Sequence, residues 1–290
     1  MTMRSAPEER TPEELLSFGI VNLDKPPGPS AHQVAGWLRD HAKQERAAHS
    51  GTLDPKVTGC LPTLLGTAVR LAQVFDDAVK EYVAVLELHG RTPANLDSII
   101  AEFEGEIYQK PPRKSAVTRR LRVREIHELE VIESDERRAL LRVRCASGTY
   151  IRKLCHDIGL ALGTGAHMGD LRRTATATFD DTTLATMHEF HDAVTEWRER
   201  GDETWLREVV QPAERVLRGV PRVTVASSAV PEIAEGAPVY APGVLDSETT
   251  EEGTFVACYA PNGSAVCIGT LVGNPDATSG TVVELERVLV

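Results

Sequence analysis

The stretch HSGTLDPKVTGCLP, residues 49–62, carries the most information about the fold of this 290-residue chain. It places Gly51, Gly59 and two prolines around a single acid, Asp54. Glycine permits sharp turns and close approach of a backbone or ligand, and the proline after Asp54 biases the acid away from helical angles. The stretch therefore predicts a rigid loop that presents one carboxylate. On these residues alone, an Asx turn or a helix cap at Asp54 is the favoured interpretation.

The residues around this loop predict an α+β protein. Ser30 is predicted to cap a helix, and Gly163 and Gly165 to close another. Apolar residues at helical spacing predict helices at residues 12–16, 31–38, 59–75, 96–103, 150–162 and 188–218. Alternating patterns predict strands at residues 82–90, 119–131 and 139–145.

Beyond Pro221 the chain consists of short β-rich segments separated by Gly, Pro and Asn. Such spacing is typical of a small barrel or sandwich. We therefore predict an N-terminal tail at 1–18, a main domain at 19–218 and a β-rich domain at 219–290.

Composition excludes several classes of protein. The chain is 41% hydrophobic and 26% charged, which is ordinary for a globular protein. No uncharged apolar stretch approaches the roughly 20 residues of a membrane span, and the charged N-terminus does not resemble a signal peptide. The five cysteines form no C-x-x-C pair and no zinc-ribbon pattern. We predict a cytoplasmic protein with reduced, mostly buried thiols and no membrane partner.

Charge is distributed unevenly along the chain. The formal net charge is −11, and 25 of the 32 basic residues are arginine, which suggests a salt-loving source. Residues 110–173 nevertheless carry 15 basic and eight acidic side chains, a net charge of +7. On strands, Arg120, Arg122 and Arg124 would share one face, as would Arg142 and Arg144. Such rows favour contact with a polyanion such as RNA, and the alternative is a solvated face balanced by acids elsewhere.

Five stretches, in order, resemble the TruB/dyskerin family of pseudouridine synthases. The resemblance covers roughly residues 19–180, and the β-rich end resembles a PUA domain. The five stretches are LDKPPGPSAH (23–32), the loop at 49–62, KEYVAVLELHG (80–90), YQKPPRKSAVTRRLRVREIHELEV (108–131) and LRVRCASGTYIRKLCHDIGLALGTGAHMGDLRRT (141–174).

The resemblance implies a mixed, mainly antiparallel sheet flanked by helices, followed by a small PUA-like domain that binds RNA. It also implies that a uridine in structured RNA is detached from its ribose at N1, turned in place and rejoined through C5. Nothing enters or leaves in that isomerisation, so the resemblance implies no cofactor and no catalytic metal.

Residue roles follow from the same resemblance. Asp54 aligns with the essential aspartate, as a nucleophile or a base, and Arg152 with the arginine that pairs with it. Tyr82 aligns with the active-site tyrosine, whose ring can stack on a flipped uracil. The residues that the resemblance and the basic rows assign to substrate or RNA binding are His49, Lys25, Arg119, Arg120, Arg122, Lys153, Leu171 and Arg172.

The residues after the acid, PKVTG, and the PUA-like end are similar to the archaeal branch of the family. With the acidic composition, this predicts a haloarchaeal member. The branch modifies uridine 55 in the TΨC arm of tRNA, or rRNA as the catalytic subunit of a box H/ACA ribonucleoprotein. The expected partners are therefore tRNA, guide RNA, rRNA and the proteins of that particle.

Two other functions stay open at this point. One is a non-catalytic RNA-binding scaffold, against which the set of Asp54, Tyr82 and Arg152 argues. The other is a glycosidase that uses paired carboxylates, for which Asp76 and Asp77 are candidates. Adjacent residues usually point apart, so we interpret that pair as surface acids. The H-x-x-H pair formed by His188 and His191 is interpreted as structural.

Overall fold

The computed structural model describes residues 3–111, 118 and 120–290 of the chain. Within them the structure has a ten-stranded sheet flanked by helices and a separate six-stranded sheet. The strands of the first sheet are β1 (Gly19–Lys25), β2 (Ala47–His49), β3 (Thr58–Leu65), β4 (Lys80–Leu88), β5 (Gly105–Gln109), β6 (Arg122–Ser134), β7 (Arg138–Cys145), β8 (Ala166–Thr176), β9 (Phe179–Asp180) and β10 (Gln211–Pro212). Its helices are α1 (Pro12–Ser17), α2 (Ala31–Ala42), α3 (Leu96–Ala101), α4 (Ile151–Ala161), α5 (Met187–Arg200) and α6 (Thr204–Val209).

The first sheet is mixed and mainly antiparallel. Its strand order is β10-β1-β3-β8-β4-β7-β6-β5, with β2 paired to β3 and β9 to β8. The β3–β8 pair is parallel, with Thr58 opposite Arg172 and Gly59 opposite Arg173. This pairing brings the loop before β3 next to the end of β8. The predicted α+β architecture is confirmed.

The second sheet lies entirely in the C-terminal part of the chain. Its elements are β11 (Arg222–Val225), α7 (Val230–Ala234), β12 (Val239–Tyr240), β13 (Val244–Ser247), β14 (Phe255–Tyr259), β15 (Ala265–Leu271) and β16 (Thr281–Val288). The strand order is β12-β16-β15-β14-β11-β13. Buried side chains of both sheets, among them Ile20, Leu64, Ala257 and Ile268, form one shared apolar cluster.

The N-terminal segment, predicted as a tail, is packed against the rest of the protein. Leu15 and Leu16 of α1 lie in the main core. The Arg10 side chain is completely buried, donates to both carboxylate oxygens of Glu214 at 2.6 and 2.8 Å, and reaches Ser264 Oγ at 3.2 Å. Because Ser264 precedes β15 and Glu214 follows β10, the segment joins both sheets.

Several predicted elements are confirmed, and two helices are not. Ser30 Oγ caps α2, and residues 59–75 form β3 and then a 3₁₀ helix (Gly66–Phe75) rather than one helix. Nearly every residue of β3 is buried, so its apolar run lacks the alternation that identifies a strand. Residues 188–218 form α5, α6 and a 3₁₀ turn, because Gly201 ends α5 in a left-handed conformation.

The five cysteines all lie in the described part of the chain and are free and buried, as predicted. Among the described residues, no helix is both long and apolar enough to cross a membrane.

Candidate active site

Asp54 lies in the loop that joins β2 to β3. Within this loop, the Val57 N–H donates to the Asp54 carbonyl at 2.9 Å. From outside the loop, the Gly28 N–H donates to the Pro55 carbonyl at 2.8 Å. The loop ends where β3 meets β8 at Gly59. A Cβ on Gly59 would lie 2.2 Å from the Arg173 carbonyl, and its φ is +96°. Glycine is therefore required for β8 to approach the loop so closely.

A cavity of about 670 Å³ opens beside this loop. It brings together Asp54, Tyr82 on β4, Arg152 on α4 and Leu171 on β8. These residues are separated by up to about 120 positions in the sequence, and the order β3-β8-β4-β7 makes them neighbours. The remaining wall includes apolar side chains such as Leu53, Val57 and Met168.

The carboxylate of Asp54 and the guanidinium of Arg152 form an ion pair at the mouth of the cavity. Both side chains are about half exposed, at 52% and 51%. Asp54 is thus held beside a cation and remains open to an incoming molecule. The contact also orients the carboxylate, since a guanidinium offers its N–H groups in a fixed planar geometry.

Tyr82 lies deeper in the cavity wall and is 7% exposed. Burial raises the pKa of its hydroxyl, and the neighbouring Arg173 partly offsets that effect. The hydroxyl therefore stays protonated at neutral pH. Tyr82 offers an aromatic surface and a neutral hydrogen-bonding group to a planar ligand.

Two basic residues of the cavity wall are absent from the residues assigned by sequence. Arg173 is fully buried, and its guanidinium donates to the Cys60 carbonyl at 2.7 Å and to Ser50 Oγ at 3.3 Å. Lys80 is 7% exposed, and burial lowers the pKa of its ammonium. The alternation of side chains along a strand could have identified Lys80, because Lys80 and Tyr82 share one face of β4.

The same periodicity separates Arg172 from Leu171 and Arg173. Leu171 and Arg173 both line the cavity, whereas Arg172 points to the opposite face of β8. There Arg172 donates to both carboxylate oxygens of Asp24, at 2.9 and 3.2 Å, and the hydrogen bonds to Asp24 raise its pKa. Arg172 is therefore an ion-pair partner of β1, and the cavity wall contains the arginine one position later.

Lys25 is also not available to bind RNA in this structure. Its side chain is completely buried, and Nζ donates to the carbonyls of Pro26, Pro55 and Val57 at 2.9, 3.0 and 2.8 Å. Burial lowers the pKa of this ammonium. In the described state Lys25 ties the loop of Asp54 to the end of β1, and its predicted contact with RNA stays a prediction.

The other assigned residues lie around the cavity. His49, at the end of β2, is not among the described residues that line the cavity, and its Nδ1 accepts from the Gly51 N–H at 3.3 Å. Burial, with a smaller effect of Arg173, lowers the pKa of His49. Lys153 forms an ion pair with Asp157 one turn along α4.

The two basic rows predicted from the sequence lie in different surroundings. Arg119 lies outside the described residues, Arg120 is exposed ahead of β6, and Arg122 begins that strand. On β7, Arg142 and Arg144 pair with Glu130 and Glu128 of β6 at 3.0 and 2.9 Å. The two β7 arginines therefore match the alternative of a face balanced by acids.

The remaining candidates from the sequence do not form a second centre. Asp76 is exposed at the edge of the same cavity, and Asp77 does not line it. His191 faces His41, with 3.2 Å between the two Nδ1 atoms. In the described part of the chain, no group of three or more His, Cys, Asp or Glu side chains could hold a metal ion.

Models of known families match nearly the whole chain. The TruB family pseudouridylate synthase N-terminal domain matches residues 39–95 and 91–151, and the tRNA pseudouridylate synthase B C-terminal domain matches 152–218. The chain belongs to the TruB family of pseudouridine synthases. The DKCLD (NUC011) domain matches 2–35, and the PUA domain matches 221–289. The resemblance seen in the sequence is confirmed, and the chain is an isomerase of the TruB/Cbf5 type.

Relatives and solved structures agree with this membership. The "Probable tRNA pseudouridine synthase B" of Haloarcula marismortui is 65% identical over 297 residues, covering 100% of this chain and 94% of the relative. The Halobacterium salinarum protein of the same name is 60% identical over 302 residues, with 100% of both chains covered. Both organisms are haloarchaea, in agreement with the predicted branch.

Two solved structures share the fold over nearly the full length. A chain in a Cbf5–Nop10–Gar1 complex is 42% identical, with a TM-score of 0.91 over 99% of this chain and 90% of the other. A chain in an H/ACA ribonucleoprotein bound to a substrate RNA containing 2′-deoxyuridine is 40% identical, with a TM-score of 0.90 over 99% and 90%.

Proposed function

We propose that this pseudouridine synthase binds a flipped-out uridine in the cavity formed by Asp54, Tyr82, Arg152 and Leu171. The observation that carries the proposal is the half-exposed Asp54–Arg152 ion pair at the mouth of a cavity with an aromatic wall. Flipping a base costs a few kcal/mol, and stacking on Tyr82 offsets part of that cost. An apolar wall suits uracil, and an exposed carboxylate suits the ribose.

Each residue then has a role in the reaction. The Asp54 carboxylate acts as nucleophile toward the ribose or as base, and Arg152 keeps it oriented. The bond from ribose C1′ to N1 breaks, the uracil turns against Tyr82 and Leu171, and C5 bonds to C1′. If Asp54 acts as nucleophile, its bond to C1′ forms as the bond to N1 breaks and breaks again when C5 attacks. C5 then loses its proton to solvent and N1 takes one up, so the product is an isomer of the substrate. Arg173 supports the cavity wall through its bond to the Cys60 carbonyl, and Lys80 supports it through a bond from Nζ to Ser147 Oγ at 3.0 Å.

The substrates we propose are uridine 55 of tRNA and uridines of rRNA selected by a box H/ACA guide RNA. Support comes from relatives named for tRNA and from similar chains in complexes with Nop10, Gar1 and substrate RNA. We further propose that the protein works in the cytoplasm and that its C-terminal sheet contacts RNA, since a PUA domain model matches it. Arg120 and Arg122 are the proposed RNA contacts among the described basic residues.

The test incubates the purified protein with unmodified tRNA, with and without guide RNA and partner proteins, and maps pseudouridines. Asp54→Asn is expected to abolish product while RNA binding persists. Asp77→Asn is the matched control, because Asp77 is exposed and does not line the cavity. Product formed by Asp54→Asn would contradict the catalytic assignment. Release of free uracil by the unaltered protein would favour a glycosidase.

A further inference from the structure

The position of Arg152 depends on the start of α4. Its guanidinium is half exposed, and Arg152 is only the second residue of the helix. Tyr150 is the N-cap residue of this helix. The third helical position is Lys153, which cannot accept the N-cap N–H as a glutamate or glutamine in a capping box does. The residues of α4 therefore do not form a capping box at its start.

Gln109, 41 residues earlier in the chain, binds the backbone of Tyr150. Its Oε1 accepts from the Tyr150 N–H at 2.9 Å, and its Nε2 donates to the Tyr150 carbonyl at 3.2 Å. In α2 the equivalent bond comes from within the helix, where the Ser30 N–H donates to Gln33 Oε1 at 2.9 Å. Gln109 is the last residue of β5, so α4 is anchored to the sheet instead of to itself.

The contact between Gln109 and Tyr150 restrains both the position and the orientation of the Tyr150 backbone. Gln109 is only 1% exposed, and both ends of its amide bind the backbone of one residue. Two hydrogen bonds fix both the place and the orientation of that residue, whereas a single bond would leave a rotation free. On the other side of the same turn, Lys80 Nζ donates to Ser147 Oγ at 3.0 Å. Two buried side chains from two strands thus hold the turn before Arg152.

We propose that Gln109 is a positioning residue for the Asp54–Arg152 pair. The proposal rests on the proposed role of Arg152 and extends it to a residue outside the cavity wall. Without the amide, the first turn of α4 gains freedom and the guanidinium moves relative to the carboxylate. Misplacement by about 1 Å can cost on the order of a hundredfold in rate, so a small shift is sufficient.

The experiment measures single-turnover pseudouridine formation, RNA dissociation constants and melting temperatures for Gln109→Leu. Gln33→Leu is the matched control, because it removes the same kind of N-cap acceptor from a helix that carries no cavity residue. We expect Gln109→Leu to lower the rate about tenfold or more. We expect RNA binding within about threefold of the unaltered protein. The melting temperature should lie below that of Gln33→Leu, because Gln109 is buried and makes two hydrogen bonds, so the rates are compared at a temperature where all variants are folded.

A second readout separates positioning from general damage. If Gln109 acts through Arg152, Gln109→Leu should lower the rate far less in an Arg152→Lys background than alone. Fully additive losses, or a rate for Gln109→Leu equal to the unaltered protein, would overturn the proposal. A rate loss fully matched by weaker RNA binding, or by a smaller folded fraction at the assay temperature, would also overturn it.

Two further variants, Gln109→Glu and Arg152→Lys, complete the test. If Gln109→Leu does not fold, Gln109→Glu replaces it, because it keeps an acceptor for the Tyr150 N–H and loses the donor. That variant is expected to be slower than the unaltered protein, and an unchanged rate would overturn the inference. Arg152→Lys at full rate would refute the role of Arg152 itself, whereas a slow Arg152→Lys beside a normal Gln109→Leu refutes only the positioning.

Discussion

Replacing Lys25 with methionine decides between the role expected from sequence and the role found in the structure. The Lys25 ammonium donates to three carbonyls, those of Pro26, Pro55 and Val57. The methionine side chain is about as long as that of lysine and, like the lysine stem, apolar. It therefore fills the same buried space without donating a hydrogen bond. If Lys25 is a structural tie, the variant loses stability, and the loop of Asp54 loosens.

The expected loss follows from the surroundings of the three acceptors. The bond to the Val57 carbonyl is buried, so its loss leaves an acceptor without water and costs about 1–3 kcal/mol. The bonds to Pro26 and Pro55 are partly buried, so water replaces the ammonium there at about 0.5–1.5 kcal/mol each. Removing a buried ammonium returns part of this sum. A net loss of about 2–4 kcal/mol corresponds to roughly 3–7 °C in melting temperature for a chain of this length.

The assay is thermal unfolding followed by circular dichroism, together with the RNA dissociation constant at a temperature where both proteins are folded. Lys43→Met is the control, since Lys43 is exposed at the end of α2 and loses the same charge. We expect a lower melting temperature only for Lys25→Met. An unchanged melting temperature with weaker RNA binding would refute the structural role and restore the RNA contact.

Three other perturbations test separate parts of the structure. Glu214→Gln leaves the buried Arg10 guanidinium without a charged partner, and about 3 kcal/mol of unfolding free energy should be lost in urea titrations. Arg173→Lys keeps the charge but not the fork, so product formation should fall about tenfold or more. Folding lowers the pKa of His49, so the unfolded chain takes up a proton there more readily than the folded protein. The free energy of unfolding that this residue contributes is therefore fully present above pH 6.5 and is lost as the pH falls through the lowered pKa. His49→Asn keeps an acceptor for the Gly51 N–H, and its melting temperature should vary less between pH 7.5 and 5.5; equal slopes would contradict this reasoning.

Strand β8 shows why the residues of the site are only partly predictable. The sequence LRRT identified the right stretch, but motif alignment alone did not show which of two adjacent arginines faces the cavity. Pairing with β4 settles the matter, because Tyr82 lies opposite Arg173 and Ala84 opposite Leu171. A side chain's face depends on the register of its strand, and register depends on partners far away in sequence.

The burial and the ion pairing of basic side chains also depend on partners far away in sequence. Lys25 follows Asp24, and a charged side chain is usually found at the surface. It is nevertheless completely buried, because its ammonium donates hydrogen bonds to three backbone carbonyls. Arg142 and Arg144 belong to a basic segment, but strand β6 places a glutamate beside each of them. Net charge of a segment therefore does not show which cations are free to meet RNA.

The loop of Asp54 and the strand of Tyr82 could be identified from local sequence and family resemblance, because their glycines, prolines and alternation act over a few residues. The same local rules found the cap of α2. They failed for β3, whose burial on both faces conceals its period.

Tertiary structure alone decided how these pieces form a site. The parallel β3–β8 pair brings Asp54 near Leu171, and hydrogen bonds between Gln109 and Tyr150 join residues 41 positions apart at the start of α4. Sequence determines which chemical groups a segment can offer. Which of them face one cavity depends on strand register, on burial and on hydrogen bonds between distant segments, and these exist only in the folded chain.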